Sequence, residues 1–123
     1  MLLILGLLGG LVLVRGPPRS AAVEMQRASS MVAGTLRLAR SRAIATDRPV
    51  PVRFDPGSLS IQIGADPARA LPKGIGMSVG ASVILFRPDG SSSGGLVELA
   101  GSGRTAQVGV NWLTGRVAVA DGK

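Results

Sequence analysis

The chain opens with an uncharged apolar run, Met1–Val14, built from Leu, Ile, Val and Met with three glycines. A helix of this length spans about 21 Å, whereas about twenty residues are needed to cross ~30 Å of hydrocarbon. Three interpretations remain open: a membrane anchor that lacks its first residues, the apolar part of a cleaved signal peptide, or a buried core helix. We favour the anchor, because no basic segment precedes Leu2 and the run has no polar face.

Under the anchor interpretation, the apolar side chains of residues 1–14 contact lipid or form the core of a filament. These residues are Leu2, Leu3, Ile4, Leu5, Leu7, Leu8, Leu11, Val12, Leu13 and Val14. The signal-peptide alternative instead predicts cleavage after Ser20-Ala21, with a mature N-terminus near Ala22.

Residues 15–48 predict an amphipathic continuation of the same helix. Pro17 and Pro18 are expected to kink it, because proline removes a backbone donor and clashes with the preceding turn. Apolar residues then recur at spacings of three and four, which predicts one buried stripe. The stripe consists of Ala21, Met25, Ala28, Val32, Leu36, Ala39 and Ala43. Asp47-Arg48-Pro49 is expected to end the helix.

From residue 49 to residue 123 the apolar period changes from 3.6 to 2, which predicts an antiparallel β domain. The predicted strands are 50–54 and 59–63, joined as a hairpin, followed by 82–87, 96–99, 105–111 and 116–120. No helix pattern separates them. The sequence therefore predicts an α+β fold in which a long kinked helix, first apolar and then amphipathic, packs on an antiparallel sheet or small β-sandwich.

The sequence offers little catalytic chemistry. There is no Cys and no His, which excludes disulfides, Cys/His zinc sites and Ser-His-Asp triads. Gly90–Gly95 does not lead into the Gly-Lys-Ser/Thr of a phosphate loop and is interpreted as a hairpin loop. Trp112 is interpreted as a core or sheet-edge anchor. Four Asp residues that neighbour Pro or Arg are interpreted as turn caps: Asp47, Asp55, Asp66 and Asp89. We expect no enzyme activity, cofactor, metal or small-molecule substrate.

The excess of positive charge is concentrated at the N-terminal side. The net charge is +7, of which residues 1–48 contribute +5 and residues 49–123 contribute +2. The helical residues Arg27, Arg37, Arg40 and Arg42 could face phosphates or an acidic protein surface, or simply form a solvated face. Their position after the apolar run favours contact with membrane headgroups and neighbouring subunits.

Several segments together resemble a known family. They are Leu2–Leu8, Pro17-Pro18, Leu38–Ala45, Pro51–Asp55, Phe86–Gly95 and Leu113–Val117. In this order they resemble a type IV pilin-like protein, and more specifically the minor pseudopilin H of type II secretion systems (the GspH/FimT family). The resemblance covers essentially the whole chain.

The resemblance implies a structural role. It implies a single-pass protein of the bacterial inner membrane with a periplasmic C-terminal domain, methylated at its processed N-terminus. It also implies packing, helix to helix, with other pseudopilins in a filament that exports folded proteins across the outer membrane. The implied partners are those pseudopilins, the inner-membrane assembly platform and, for a precursor with a leader, prepilin peptidase.

The chain departs from the family pattern at its start. Members carry a basic leader and a Phe-Thr-Leu-Ile-Glu-like segment, and neither precedes Met1. We expect a start codon assigned too late, since about five more residues would complete a membrane span. The alternative function is a DNA-binding minor type IV pilin that acts in DNA uptake, with Arg116 and Lys123 as the candidate contacts.

Overall fold

The computed structural model describes residues 16–72, 74–101 and 103–122. The predicted membrane segment, Leu2–Val14, and the candidate DNA contact Lys123 lie outside these residues. Among the helices described, none is long and apolar enough to cross a membrane.

Within these residues, one helix, α1 (Gly16–Thr46), precedes eight strands. Pro17 and Pro18 lie in its first described turn, and the segment with which they would form the predicted kink is outside the described residues. The predicted stripe is confirmed from Met25 onward, because every one of its members there is buried. Ala28, Ala39 and Ala43 keep this face flat, so the helix backbone approaches the sheets closely.

The helix ends where the sequence predicts. Asp47 has a positive φ of 56°, and the N–H of Arg48 donates to the carbonyl oxygen of Ala43 at 3.3 Å. This six-to-one hydrogen bond closes the last turn as a Schellman motif, with Asp47 in the left-handed position. Pro49 follows and cannot continue the helix.

The strands form two four-stranded antiparallel sheets. The first contains β1 (Val50–Asp55), β2 (Ser60–Ile63), β3 (Arg69–Ala70) and β5 (Val83–Phe86), in the order β3-β2-β1-β5. The second contains β4 (Gly76–Val79), β6 (Gly95–Gly101), β7 (Arg104–Val110) and β8 (Val117–Gly122), in the order β4-β6-β7-β8. The α+β architecture predicted from sequence is confirmed.

A single hydrophobic core joins α1 to both sheets. Leu36 of the helix, Phe86 of the first sheet and Leu99 of the second are all fully buried in it. The predicted β1–β2 hairpin is confirmed, with Phe54 opposite Ile61. Asp55 accepts hydrogen bonds from the backbone N–H groups of Gly57 and Ser58, at 3.0 and 3.3 Å, and so caps the turn as predicted.

Two strands and one connection differ from the sequence-based prediction. β3 and β4 were not predicted, although Ile75, Met77 and Val79 do alternate with small polar residues. The interpretation of Gly90–Gly95 as a hairpin loop holds only in part: Ser92 pairs antiparallel with Phe86, so the chain turns back on the end of β5, but the segment then leads to β6 in the other sheet. Its polar composition indicates a loop but carries no information about which strands the loop connects.

Candidate interaction surface

Two loops meet beside the C-terminal half of α1. They are the β5–β6 connection, residues 87–94, and the β7–β8 turn, residues 111–116. The backbone N–H of Ser92 donates to the carbonyl oxygen of Trp112 at 2.8 Å, which ties the two loops together. The hydroxyl of Ser92, which is buried, donates to the carbonyl oxygen of Asn111 at 3.2 Å and accepts from the N–H of Gly94 at 2.9 Å.

Asn111 fixes the β7–β8 turn. Its side-chain Oδ1 accepts hydrogen bonds from the N–H groups of Leu113 at 2.8 Å and Thr114 at 3.1 Å. The N–H of Gly115 donates to the backbone oxygen of Asn111 at 2.8 Å. Trp112 and Leu113 stand at the tip, 65% and 63% exposed. The interpretation of Trp112 as a core or sheet-edge anchor is therefore wrong: the asparagine turn points it outward.

Arg40 joins α1 to both loops. Its Nε donates to the carbonyl oxygens of Gly90 and Thr114, each at 3.2 Å. Close packing accompanies these bonds, because a Cβ at Gly115 would collide with the carbonyl oxygen of Gly90. Arg40 therefore holds the two loops against the helix.

The helical arginines are engaged within the chain more than the sequence suggested. Arg37 Nη2 donates to the carbonyl oxygen of Val117 at 3.3 Å, and Arg42 pairs with Asp66 at 2.6 Å. Arg27 lies 3.8 Å from Glu24. Asp66, interpreted from sequence as a turn cap, is the partner of Arg42. The hydrogen bonds of Arg37, Arg40 and Arg42 bind α1 to its own β domain, and contact of these arginines with membrane headgroups or neighbouring subunits stays a prediction.

A basic groove of about 940 Å³ lies between α1 and the β7–β8 region. Arg37, Arg40 and Arg116 line it, together with small and neutral residues, and no Asp or Glu is among the described residues of its lining. The side chain of Arg116 makes no hydrogen bond or ion pair with any residue that the structure describes. Of the two predicted DNA contacts, the structure places Arg116 in this groove, whereas Lys123 lies beyond the described residues.

Two carboxyl groups in turns have shifted acidity. Hydrogen bonds from the side chain and then the backbone of Ser91 lower the pKa of Asp89 below its usual value. Ser58 lowers the pKa of Asp55 in the same way, through its side chain first. The Ser91 hydroxyl lies 2.6 Å from Asp89 Oδ1, so this carboxylate is occupied within its own loop, as its interpretation as a turn cap predicts. Within the described ranges, no three His, Cys, Asp or Glu side chains converge on a point where they could bind a metal.

The outward face of α1 is the second surface left uncovered by the β domain. Val23, Leu38 and Ile44 lie there with 38%, 44% and 47% of their surface exposed. Gly34 lies between them, and a Cβ built at this position has no atom within 4 Å. These three apolar side chains stand among exposed polar ones, such as Arg27, Ser30 and Ser41, and they are available for contact with another helix.

Comparisons with known proteins agree with this architecture. The profile of the family described as "Type II transport protein GspH" matches residues 28–115. The minor pseudopilin EpsH from the type 2 secretion system of Vibrio cholerae has a similar structure, with a TM-score of 0.68 and 14% identity over 80% of this chain and 97% of that chain. The Pseudomonas aeruginosa type IV minor pilin FimU gives 0.70 and 15% over 80% and 90%.

A second EpsH structure gives a TM-score of 0.66 at 11% identity, over 79% of this chain and 95% of that chain. At these identities the likeness concerns the fold. No curated protein sequence matches the chain.

Proposed function

The chain belongs to the GspH family, and from that premise we propose that it is a minor pseudopilin in the periplasmic pseudopilus of a type II secretion system. In this role it is a structural subunit without a reaction of its own, and it assists the export of folded proteins across the outer membrane. Its partners are other pseudopilins and the inner-membrane assembly platform, with prepilin peptidase acting on any precursor that carries a leader. It is anchored in the inner membrane by Leu2–Val14, with residues from about 15 onward in the periplasm.

The observation that carries the proposal is the two-sided character of α1. One face is buried against both sheets, and the opposite face presents Val23, Leu38 and Ile44 to the surroundings. These apolar side chains are exposed in the isolated subunit, among polar residues of the same face. A subunit that packs helix to helix buries these side chains in its neighbours.

Export by the host measures the function directly. We expect deletion of the gene to leave secreted proteins in the periplasm and the parent gene to restore their release. The double variant Leu38→Glu/Ile44→Glu should fold, because both side chains are exposed, and yet fail to restore export. Val83→Glu is the matched control, since Val83 is 40% exposed but lies on β5 rather than on α1. Export restored by the double variant as fully as by the parent gene and by Val83→Glu would contradict the proposal.

A DNA-binding minor type IV pilin is the alternative, favoured by Arg116 in the basic groove and by the structural likeness to FimU. It predicts that the full chain shifts double-stranded DNA in a gel, with an affinity that falls steeply as salt rises. Arg116→Ala and Lys123→Ala should each weaken that binding. A deletion strain that loses DNA uptake while export continues would favour this alternative.

A further inference from the structure

The tip of the β7–β8 turn combines two exposed apolar side chains with a basic groove. Trp112 and Leu113 are 65% and 63% exposed, and the groove beside them is lined by Arg37, Arg40 and Arg116. Trp and Arg are the residue types that most often dominate the energy of protein interfaces. Both types stand here within one short turn.

The turn is rigid before anything binds. Asn111 Oδ1 holds the N–H groups of Leu113 and Thr114, and Arg40 Nε holds the carbonyl oxygen of Thr114 from the other side. A loop that is already ordered loses little conformational entropy on binding. Exposed apolar side chains on a mobile loop would not have this advantage.

The positive charge of the groove indicates an acidic partner. None of the described residues that line the groove is acidic, and the carboxylate of Asp89 on the neighbouring loop accepts its hydrogen bonds from Ser91. Arginine binds carboxylates through two parallel N–H groups, and Arg116 has no described partner of its own. A second copy of this chain is a poor occupant, because the chain carries a net charge of +7.

The position of the β7–β8 turn along α1 argues against a lipid surface as the partner of the groove. Arg40 lies about 36 Å along α1 from Gly16, at 1.5 Å per residue. The anchor that the proposed function places in the membrane precedes Gly16. The turn therefore lies far from the bilayer that holds the subunit.

We propose that Trp112, Leu113 and the Arg37–Arg40–Arg116 groove form a docking site for an acidic, aliphatic segment of a different protein subunit. Carboxylates of that segment pair with Arg116 and Arg37, while its aliphatic side chains cover Trp112 and Leu113. The inference rests on the proposed function in two respects: that the partner belongs to the same assembly, and that the membrane anchor precedes Gly16. A phosphate backbone would satisfy the arginines but would leave Leu113 without an apolar contact.

Tryptophan fluorescence can measure binding at this site without an added label. Trp112 is the single tryptophan and there is no tyrosine, so tryptophan emission comes from the docking site alone. The full chain in lipid nanodiscs is titrated with a short synthetic peptide that alternates Asp and Leu. We expect a saturable blue shift, because the peptide removes water from Trp112. Peptides that alternate Lys with Leu, or Asp with Ser, should produce little shift.

Matched charge-reversal variants distinguish binding at the docking site from a general effect of the positive charge of the chain. Arg116→Glu should weaken binding of the Asp-Leu peptide about tenfold or more, since it replaces an attraction by a repulsion. Arg104→Glu makes the same change at the opposite end of β7 and should leave the affinity unchanged. Leu113→Ser should weaken binding several-fold with an unaltered circular dichroism spectrum. Equal responses to the Lys-Leu peptide, or equal affinities of the two Glu variants, would overturn the inference.

Two further outcomes are decisive. A shift caused by a double-stranded DNA oligonucleotide but not by the Asp-Leu peptide would assign the groove to DNA and overturn the inference. In the host, we expect Arg116→Glu and Leu113→Ser to restore export poorly in a deletion strain that has lost it. Full restoration by both would reject the docking site while leaving the proposed function standing, whereas a deletion strain that exports normally would reject the proposed function itself.

Discussion

The backbone N–H of Ser92 donates a hydrogen bond of 2.8 Å to the carbonyl oxygen of Trp112, and this contact bridges the two sheets. Ser92 also forms an antiparallel bridge with Phe86 at the end of β5. Trp112 lies two residues beyond the end of β7, a strand of the other sheet. The residue that joins the sheets is thus a buried serine in a polar loop.

Loss of the Ser92 hydroxyl should destabilise the fold. Ser92→Ala leaves the N–H of Gly94 without its acceptor and removes one of the two donors to the carbonyl oxygen of Asn111, so we expect a loss of about 1–3 kcal/mol in the free energy of unfolding. Urea unfolding followed by circular dichroism measures it. Ser91→Ala, on the exposed side of the same loop, is the control and should cost less than about 0.5 kcal/mol. Equal losses would contradict the role given to Ser92.

Gly115 should tolerate no side chain. Its φ is +70°, and a Cβ would collide with the carbonyl oxygen of Gly90, so Gly115→Ala combines strain with a backbone clash. We expect a loss of about 3 kcal/mol or more. Gly103→Ala has a similar φ of +77° but open space around the Cβ, and should cost only about 1–2 kcal/mol. Thermal unfolding of the two variants separates the clash from the strain.

Arg40 should contribute more to stability than Arg42. Arg40→Ala removes a charged donor from two backbone carbonyls, which predicts a loss of about 1.5–3 kcal/mol. Arg42→Ala breaks an ion pair with Asp66 whose side chains are 40% and 48% exposed, and such pairs contribute about 0–1 kcal/mol. Urea unfolding at low and high salt measures both. A larger loss for Arg42→Ala would contradict the assignment of Arg40 as the junction between helix and loops.

Stability should decline in acid because of Asp55 and Asp89. Hydrogen bonds from Ser58 and Ser91 lower the pKa of each carboxyl in the folded chain. A group with a lowered folded pKa stabilises the fold above its unfolded pKa, near 3.9, and this contribution is lost as the pH falls through the folded pKa. We therefore expect these two carboxyls to contribute a constant stability above about pH 5 and a decreasing one below about pH 4.

An NMR titration of the carboxyl carbons isolates the cause of the pKa shift. In Ser91→Ala the pKa of Asp89 should rise toward its usual value, while the pKa of Asp55 stays where it was. An unchanged titration of Asp89 in this variant would show that Ser91 is not responsible.

Gly34 should be replaceable without loss of stability. It lies in the middle of α1 on the outward face, and a Cβ there meets no atom within 4 Å. Gly34→Ala is therefore expected to stabilise the isolated subunit by about 0.5–1 kcal/mol, since glycine is a poor helix former. Thermal unfolding measures the gain, and a decrease in stability would contradict the open environment of Gly34.

The sequence alone correctly predicts the elements that depend on the spacing of neighbouring residues. The stripe from Met25 to Ala43 and the β1–β2 hairpin both follow from residue spacing, and the structure confirms them. Spacing could not reveal that β5 leads into the second sheet, because strand pairing depends on residues distant in sequence. Trp112 was placed wrongly for a related reason: its hydrophobicity indicated burial, whereas the hydrogen bonds of Asn111 direct it outward.

The basic groove between α1 and the β7–β8 region could not be predicted from the sequence. Arg40 and Thr114 are separated by 74 positions, and nothing in either local pattern indicates that they meet. Arg116 was singled out only by its charge near the C-terminus. The missed signal for β4 was present in the alternation of Ile75, Met77 and Val79, but the strand is short.

The shared core of α1 has a mechanical consequence. Because Leu36 and its neighbours pack on both sheets at once, a pull along the helix axis is divided between two hydrogen-bonded ladders that resist it in parallel. Neither sheet can peel away alone without opening the core of the other. We therefore expect the β domain to move together with α1 as one body when a force acts on the helix.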